Sequence, residues 1–159
     1  MEIERKYLVN DIPFDLSTFD KNEISQGYIV ADPAVRIRRK NDKYILTIKS
    51  GGLLARHEFE KELTKDEFDE LSQMVSGNII SKTRYIIPYN GLKIELDIFH
   101  DKFEGLKYAE VEFPDIEGAK SFIAPDYFGE EVTEDASYQN SSLSRMSPDE
   151  ISLFLKNNK

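Results

Sequence analysis

Seven short segments of this chain carry polar or charged residues two positions apart, and in most of them the two charges have the same sign. They are Glu2-x-Glu4-x-Lys6, Arg36-x-Arg38, Thr47-x-Lys49, Glu58-x-Glu60, Lys82-x-Arg84, Glu95-x-Asp97 and Glu110-x-Glu112. In a β-strand, side chains alternate faces with a period of two. One face of each segment is therefore ionic. The other is mostly apolar, as in Val35 and Ile37, Leu46 and Ile48, or Ala109, Val111 and Phe113. For any single strand this pattern describes an ordinary sheet with one wet face. Taken together, the segments argue for something else. Adjacent like charges on one face repel, and neutral polar residues are scarce on these faces. A closed barrel with the charges pointing inward resolves this, because basic and acidic walls then face each other across a polar tunnel. Clustered Arg and Lys suit phosphate oxygens. Clustered carboxylates suit a hard divalent cation with oxygen ligands. The spacing points to metal-dependent binding of a polyanion such as a linear oligophosphate. A plain barrel with its charges in water is the competing reading.

The strand-like segments are 2–9, 23–30, 34–40, 43–50, 55–63, 81–89, 92–99 and 107–113, each short, β-branched or aromatic and bounded by turn residues. Asn41-Asp42 and Asn90-Gly91 are hairpin turns, and Gly51-Gly52 marks a loop. Three helices are expected. One has Thr64 and Glu67 as a capping box, an apolar stripe of Phe68, Leu71, Met74 and Val75, and Gly77 as its stop. One starts at Asp115. The last has Ser147 as cap, Pro148 at the first position and Glu150 completing a box. The expected fold is mostly β within the α+β class. It is an eight-stranded antiparallel closed β-barrel with a few packed helices, and residues 1–159 form one domain.

A net charge of −9 argues against broad binding of nucleic acid or an anionic membrane. The absence of Cys removes disulfides and thiolate metal sites. No apolar run is long enough for a membrane helix, and the charged amino terminus is unlike a signal peptide, so a cytoplasmic protein is expected.

The ordered charge set resembles the CYTH family, the triphosphate tunnel metalloenzymes. Glu2-Ile-Glu4-Arg-Lys6 resembles its Glu-x-Glu-x-Lys signature. Arg36-x-Arg38, Lys49, Glu58-x-Glu60 after Arg56, Lys82-x-Arg84, Glu95-x-Asp97 and Glu110-x-Glu112 follow in the family's order. The stretch from Glu131-Val132-Thr133 through Asp135 and Tyr138-x-Asn140 to Leu143 is similar to its carboxy-terminal pattern. The resemblance implies a metal-dependent hydrolase of triphosphate compounds, closest to the bacterial tripolyphosphatase branch, with Mg²⁺ or Mn²⁺ as cofactor. It makes Glu2, Glu4 and Glu112 first metal ligands with Glu110 close by. Glu58, Glu60 and Asp97 become candidates for a second metal or for positioning water. Arg36, Arg38, Lys49, Lys82 and Arg84 should grip phosphate, Lys6 should contact phosphate or the attacking water, and Tyr28 should lie near a tunnel lysine. Glu4, Lys6, Arg38 and Tyr28 are thus the expected catalytic set. Many relatives carry a basic residue after the Asp at position 135, where this chain has Ala136 and Ser137. That lowers the affinity expected for the longest or most charged substrates.

Other functions the family allows are a nucleoside or thiamine triphosphatase and a class IV-type adenylyl cyclase. A non-catalytic polyphosphate- or nucleotide-binding module would not need the full carboxylate set. The expected partner is a small polyphosphate, and a homodimer through an apolar flank is open. His57 is expected on the outer face and His100 in a loop. Ser137, Ser141, Ser142 and Ser144 are expected to be turn and capping residues.

Overall fold

The computed structural model describes residues 1–51 and 54–158. Part of the expected Gly51-Gly52 loop lies outside the described residues. The strands are β1 (Glu2–Val9), β2 (Asp20–Val30), β3 (Ala34–Lys40), β4 (Lys43–Gly51), β5 (Ala55–Leu63), β6 (Ser76–Tyr89), β7 (Leu92–Phe99), β8 (Lys107–Phe113) and β9 (Phe128–Glu131). The helices are α1 (Lys65–Ser72), α2 (Ile116–Ser121), α3 (Asn140–Leu143) and α4 (Pro148–Asn157). All pairings are antiparallel, in the order β5-β4-β3-β2-β6-β7-β8-β1-β9.

Eight strands close into a barrel, as the alternation requires, through two residue pairs between β1 and β5: Glu2 opposite Arg56 and Ile3 opposite Ala55. Beyond Arg56 the two strands part. The rest of β1's edge is taken by β9, which pairs Glu131 with Tyr7 and Phe128 with Val9. β5 from His57 to Glu62 keeps only β4 as a neighbour and is exposed on both faces. β9 is a ninth strand beyond the expected eight.

The outward faces of β1, β6, β7 and β8 contribute Ile3, Val9, Ile87, Ile94, Leu96, Val111 and Phe113 to one core. The segment around Ile12–Phe19, α2 and Phe122–Phe128 cover it, so loops as well as helices shield the apolar exterior. A second core lies inside one end of the barrel. Inward-facing Tyr28, Ile80, Phe99 and Tyr108 pack there against Phe103, Leu106, Leu143 and Ile151. The interior is therefore apolar at that end and ionic in the rest, and the carboxy-terminal segment caps the apolar part.

The capping boxes at Thr64 and Ser147 form as expected, and Asp115 caps α2. Gly77 does not stop α1. The helix ends at Ser72, β6 begins at Ser76, and Met74 is exposed. Gly77 lies within β6 at φ +81°, where a Cβ would collide with the Ser144 carbonyl. Its residue type reflects that close approach and its left-handed backbone. Asn78 N–H donates to the same carbonyl at 2.6 Å. No helix among the described residues is long and apolar enough to cross a membrane.

Candidate active site

The ionic part of the barrel encloses a cavity of about 360 Å³. Inward positions of every strand from β1 to β8 except β7's Asp97 bring the expected charges to its wall: Glu2, Glu4, Lys6, Arg36, Arg38, Lys49, Glu58, Glu60, Lys82, Arg84, Glu95, Glu110 and Glu112, with Tyr28. The cross-strand register explains the neighbourhood. Glu4 faces Glu112, Lys6 faces Glu110, Glu95 faces Glu110, and Lys49 faces Glu58.

The cations fall into two classes. Lys49 Nζ reaches Glu2 Oε1 at 2.9 Å. Arg84 donates to both Asp97 oxygens at 2.7 and 2.9 Å and to Glu95 at 3.1 Å. Lys82 lies 2.7 Å from Asp97. Arg36 and Arg38, in contrast, have no carboxylate within ion-pair distance among the described residues. Arg36 Nη2 donates to Thr47 Oγ1 at 3.2 Å, and its buried Nε has no partner. Arg38 Nε donates to the neutral Gln26 Oε1 at 2.7 Å. Burial lowers the Arg38 pKa to about 9, helped by Arg36 and Arg84. These two side chains keep their charge and donors available for an anion.

The acids are equally divided. Burial and the nearby Glu110 raise Glu4 to about 8. Burial and the neighbouring Glu58 carboxylate also raise Glu2, and burial beside Glu2 raises Glu112. For Glu110, burial acts upward, but Lys6, Arg84 and Lys82 outweigh it and hold the carboxylate well below its usual range. Burial lowers Lys82 to about 7 against the pull of Asp97.

Glu2, Glu4 and Glu112 are oxygen donors whose proton affinity is raised by burial and by neighbouring carboxylates, Glu110 among them, which is the condition a divalent cation relieves. No three such side chains among the described residues form a preformed cage.

Asp97 is placed differently from its expected role. It is 0% exposed and does not line the cavity. It stands behind Lys82 and Arg84 and holds both, and these cations lower its pKa against burial. Glu58 and Glu60 do line the cavity but sit on the exposed rim where β5 leaves β1. His57 is exposed and outside the cavity. His100 is more than a loop residue, since its Nε2 lies 2.7 Å from Thr83 Oγ1, outside the cavity. Ser137 donates to Asp135 as a turn residue, whereas Ser141 reaches the cavity wall.

Sequence reasoning missed Lys40, Arg56, Thr133, Gln139 and Asn140 at the wall, and Gln26 behind it. Lys40 and Arg56 could have been found, because they share a face with Arg38 and Glu58 at the same spacing of two.

Comparison with known proteins agrees with this geometry. The CYTH domain model matches residues 1–145. The chain belongs to the CYTH family. An inorganic triphosphatase of Nitrosomonas europaea is 37% identical over 157 residues, covering 92% of this chain and 99% of the relative. One from Acetivibrio thermocellus is 37% identical over 147 residues, covering 89% and 92%. The crystal structure of the inorganic triphosphatase NE1496 matches with a TM-score of 0.69 at 35% identity, covering 93% of this chain and 97% of that one. Among CYTH proteins, then, this chain has near full-length relatives with the same barrel.

Proposed function

We propose that this CYTH protein is a metal-dependent inorganic triphosphatase that cleaves tripolyphosphate with water to pyrophosphate and phosphate. The observation that carries the reading is the pair of arginines with no counter-ion among the described residues, Arg36 and Arg38, facing a carboxylate wall across one cavity. The curated relatives support it by their activity, each 37% identical over most of its length. The lining supports the inorganic substrate. Apart from Tyr28, Ala34 and Val132, every lining residue is polar or charged. A base or thiazole ring needs an apolar or aromatic slot, and this wall offers little of one.

Phosphoryl transfer is mainly positioning and charge stabilisation. Arg36 and Arg38 would hold peripheral oxygens of the chain. Lys82 and Arg84, kept in place by Asp97, would neutralise charge growing on the leaving pyrophosphate. Lys6, on the cavity wall beside Glu110, would orient the transferred phosphoryl or the attacking water. Glu2, Glu4, Glu110 and Glu112 are the candidate carboxylates for Mg²⁺ or Mn²⁺, one or two of which would hold the ion together with substrate phosphate. That ion supplies charge neutralisation and lowers the pKa of bound water. Glu58 and Glu60 remain candidates for a second ion at the rim. The reading takes residues 1–159 as one working unit in the cytoplasm.

The test is phosphate release from tripolyphosphate, pyrophosphate, ATP and thiamine triphosphate, with Mg²⁺, Mn²⁺ or EDTA. Rapid release from tripolyphosphate that EDTA abolishes is expected. Faster release from ATP or thiamine triphosphate would replace the inorganic assignment. No release from any of them would overturn the hydrolase reading.

A further inference from the structure

We propose that Tyr138–Asn140, together with Gln26, forms a charge-neutral clamp that positions three phosphate-binding cations from the carboxy-terminal segment. The inference rests on the triphosphatase reading and assigns roles to residues it left without one.

Three contacts converge on this turn. Lys6 Nζ donates to the Tyr138 carbonyl at 3.1 Å, closer than Glu110 at 3.8 Å. Lys82 Nζ donates to Asn140 Oδ1 at 3.0 Å. Arg38 Nε donates to Gln26 Oε1 at 2.7 Å, and Gln26 Nε2 passes the link to Asn140 Oδ1 at 2.9 Å. The polarity of this chain is dictated from both ends. Arginine and lysine only donate, so Gln26 must turn its oxygen to Arg38 and its nitrogen to Asn140, and Asn140 must present oxygen to both donors. Gln26 is 2% exposed, so the link is sheltered from water. The turn itself is anchored. Tyr138 OH donates to Asn158 at 2.6 Å, its ring meets Tyr108 and Phe154, and Leu143 is fully buried in the apolar end of the barrel.

What these acceptors lack is charge. Arg84 is held by carboxylates that cancel its charge, whereas Arg38 is held only by an amide. A carboxylate at position 140 has the same shape and accepts the same hydrogen bonds, and it would stabilise the empty protein by pairing with buried Lys82. A carboxylate at position 26 still accepts from Arg38 and pairs with it, but gives up the donor to Asn140. Either would also compete with the substrate. The clamp therefore fixes where the cations point without adding charge: Arg38 keeps its whole charge for phosphate, and Lys6 and Lys82 meet no carboxylate beyond Glu110 and Asp97 among the described residues. Gln26 and Asn140 are positioning residues.

The test is Gln26→Glu and Asn140→Asp, with Ser152→Asp on exposed α4 as a control that adds the same charge elsewhere. Expected for Asn140→Asp is an unchanged or higher Tm in EDTA; in Gln26→Glu the new pairing with Arg38 is offset by the lost donor to Asn140, so its Tm does not enter the test. The affinity of both acid variants for tripolyphosphate, by calorimetry in EDTA, should fall roughly tenfold or more, the scale of a hydrogen bond to a charged group. KM should rise more than kcat falls, and Ser152→Asp should match wild type. Asn140→Leu, which removes the acceptor without adding charge, should lower kcat/KM roughly tenfold. Wild-type affinity in the acid variants, parallel loss of Tm and affinity in Asn140→Asp, or wild-type kcat/KM in Asn140→Leu would each overturn the clamp. A wild-type protein that binds tripolyphosphate but releases no phosphate with metal would instead sink the hydrolase reading, and the binding arm would still decide the clamp.

Discussion

Asp97→Asn separates a supporting role from a metal-binding one. In the structure the Asp97 carboxylate is fully buried, 2.7 Å from Lys82 Nζ and within 2.7 and 2.9 Å of two Arg84 nitrogens. The amide keeps the shape but removes the charge, and its NH₂ turns a donor toward donors. Arg84 retains Glu95 at 3.1 Å, and Lys82 retains Asn140 at 3.0 Å, so the pair is weakened without being stripped. Breaking a buried pair from one side costs about 3–5 kcal/mol. In a domain of this size each kcal/mol moves Tm by about 2–4 °C. The expected fall is therefore roughly 6–20 °C, read by circular dichroism melts in EDTA at pH 7.5. The sign with pH is fixed. The Asp97 pKa is depressed, so its contribution is present above the unfolded value near 3.9 and lost as pH falls through the folded value. At pH 7.5 the full loss is measured. Tripolyphosphate, which supplies negative charge to Lys82 and Arg84, should recover part of the Tm. A carboxylate acting as a metal ligand would behave oppositely. Its removal would leave metal-free Tm unchanged or raised and reduce only the gain from metal. A metal-free Tm within about 2 °C of wild type would refute the supporting role, given the same 2–4 °C scale.

Arg38→Ala and Arg36→Ala should each fold at wild-type Tm or above, because each removes a buried cation that has no carboxylate partner. Each should lose about 3 kcal/mol of transition-state stabilisation, roughly a hundredfold in kcat/KM; a phosphate-release assay showing wild-type turnover would contradict the assignment. Metal-free stability should fall as pH rises from about 5 toward 8, since Glu4, raised to about 8, and the also raised Glu2 and Glu112 hold protons in the folded state that the unfolded chain has already released. Saturating Mg²⁺ should remove most of that slope in melts across this range. Apparent metal affinity should drop about tenfold per pH unit below the Glu4 value, because the ion must displace one proton; calorimetry showing pH-independent binding between 6 and 8 would count against Glu4 as a ligand.

What was legible in the sequence follows from the rigidity of the strand period. Alternation assigns a face to every residue, so β1, β3, β5, β7 and β8 match their expected bounds and the seven polar faces point inward. Alternation does not give depth along the barrel. Glu95 and Asp97 share a face, yet one lines the cavity and the other lies behind two cations, because the stagger of neighbouring strands sets which position is covered. Tyr28, Ile80, Phe99 and Tyr108 lie on the same inward faces as the charges but form an apolar end, and only the packing of Leu143 and Ile151 from far along the chain reveals it. Glu58 and Glu60 sit on the rim because β5 pairs with β1 over only two residues. β9 is four residues long and depends on the edge that β5 leaves free, so no local pattern announces it. Gln26 and Asn140 carry no charge to count. Their place in the site comes from contacts spanning most of the chain.

The most direct check on the whole account is a crystal structure of the metal-free protein with tripolyphosphate. The anion should lie inside the barrel, with its oxygens hydrogen-bonded to Arg36 and Arg38 and its far end near Lys82 and Arg84. Tripolyphosphate bound on the outer surface, with the cavity holding only water, would contradict it.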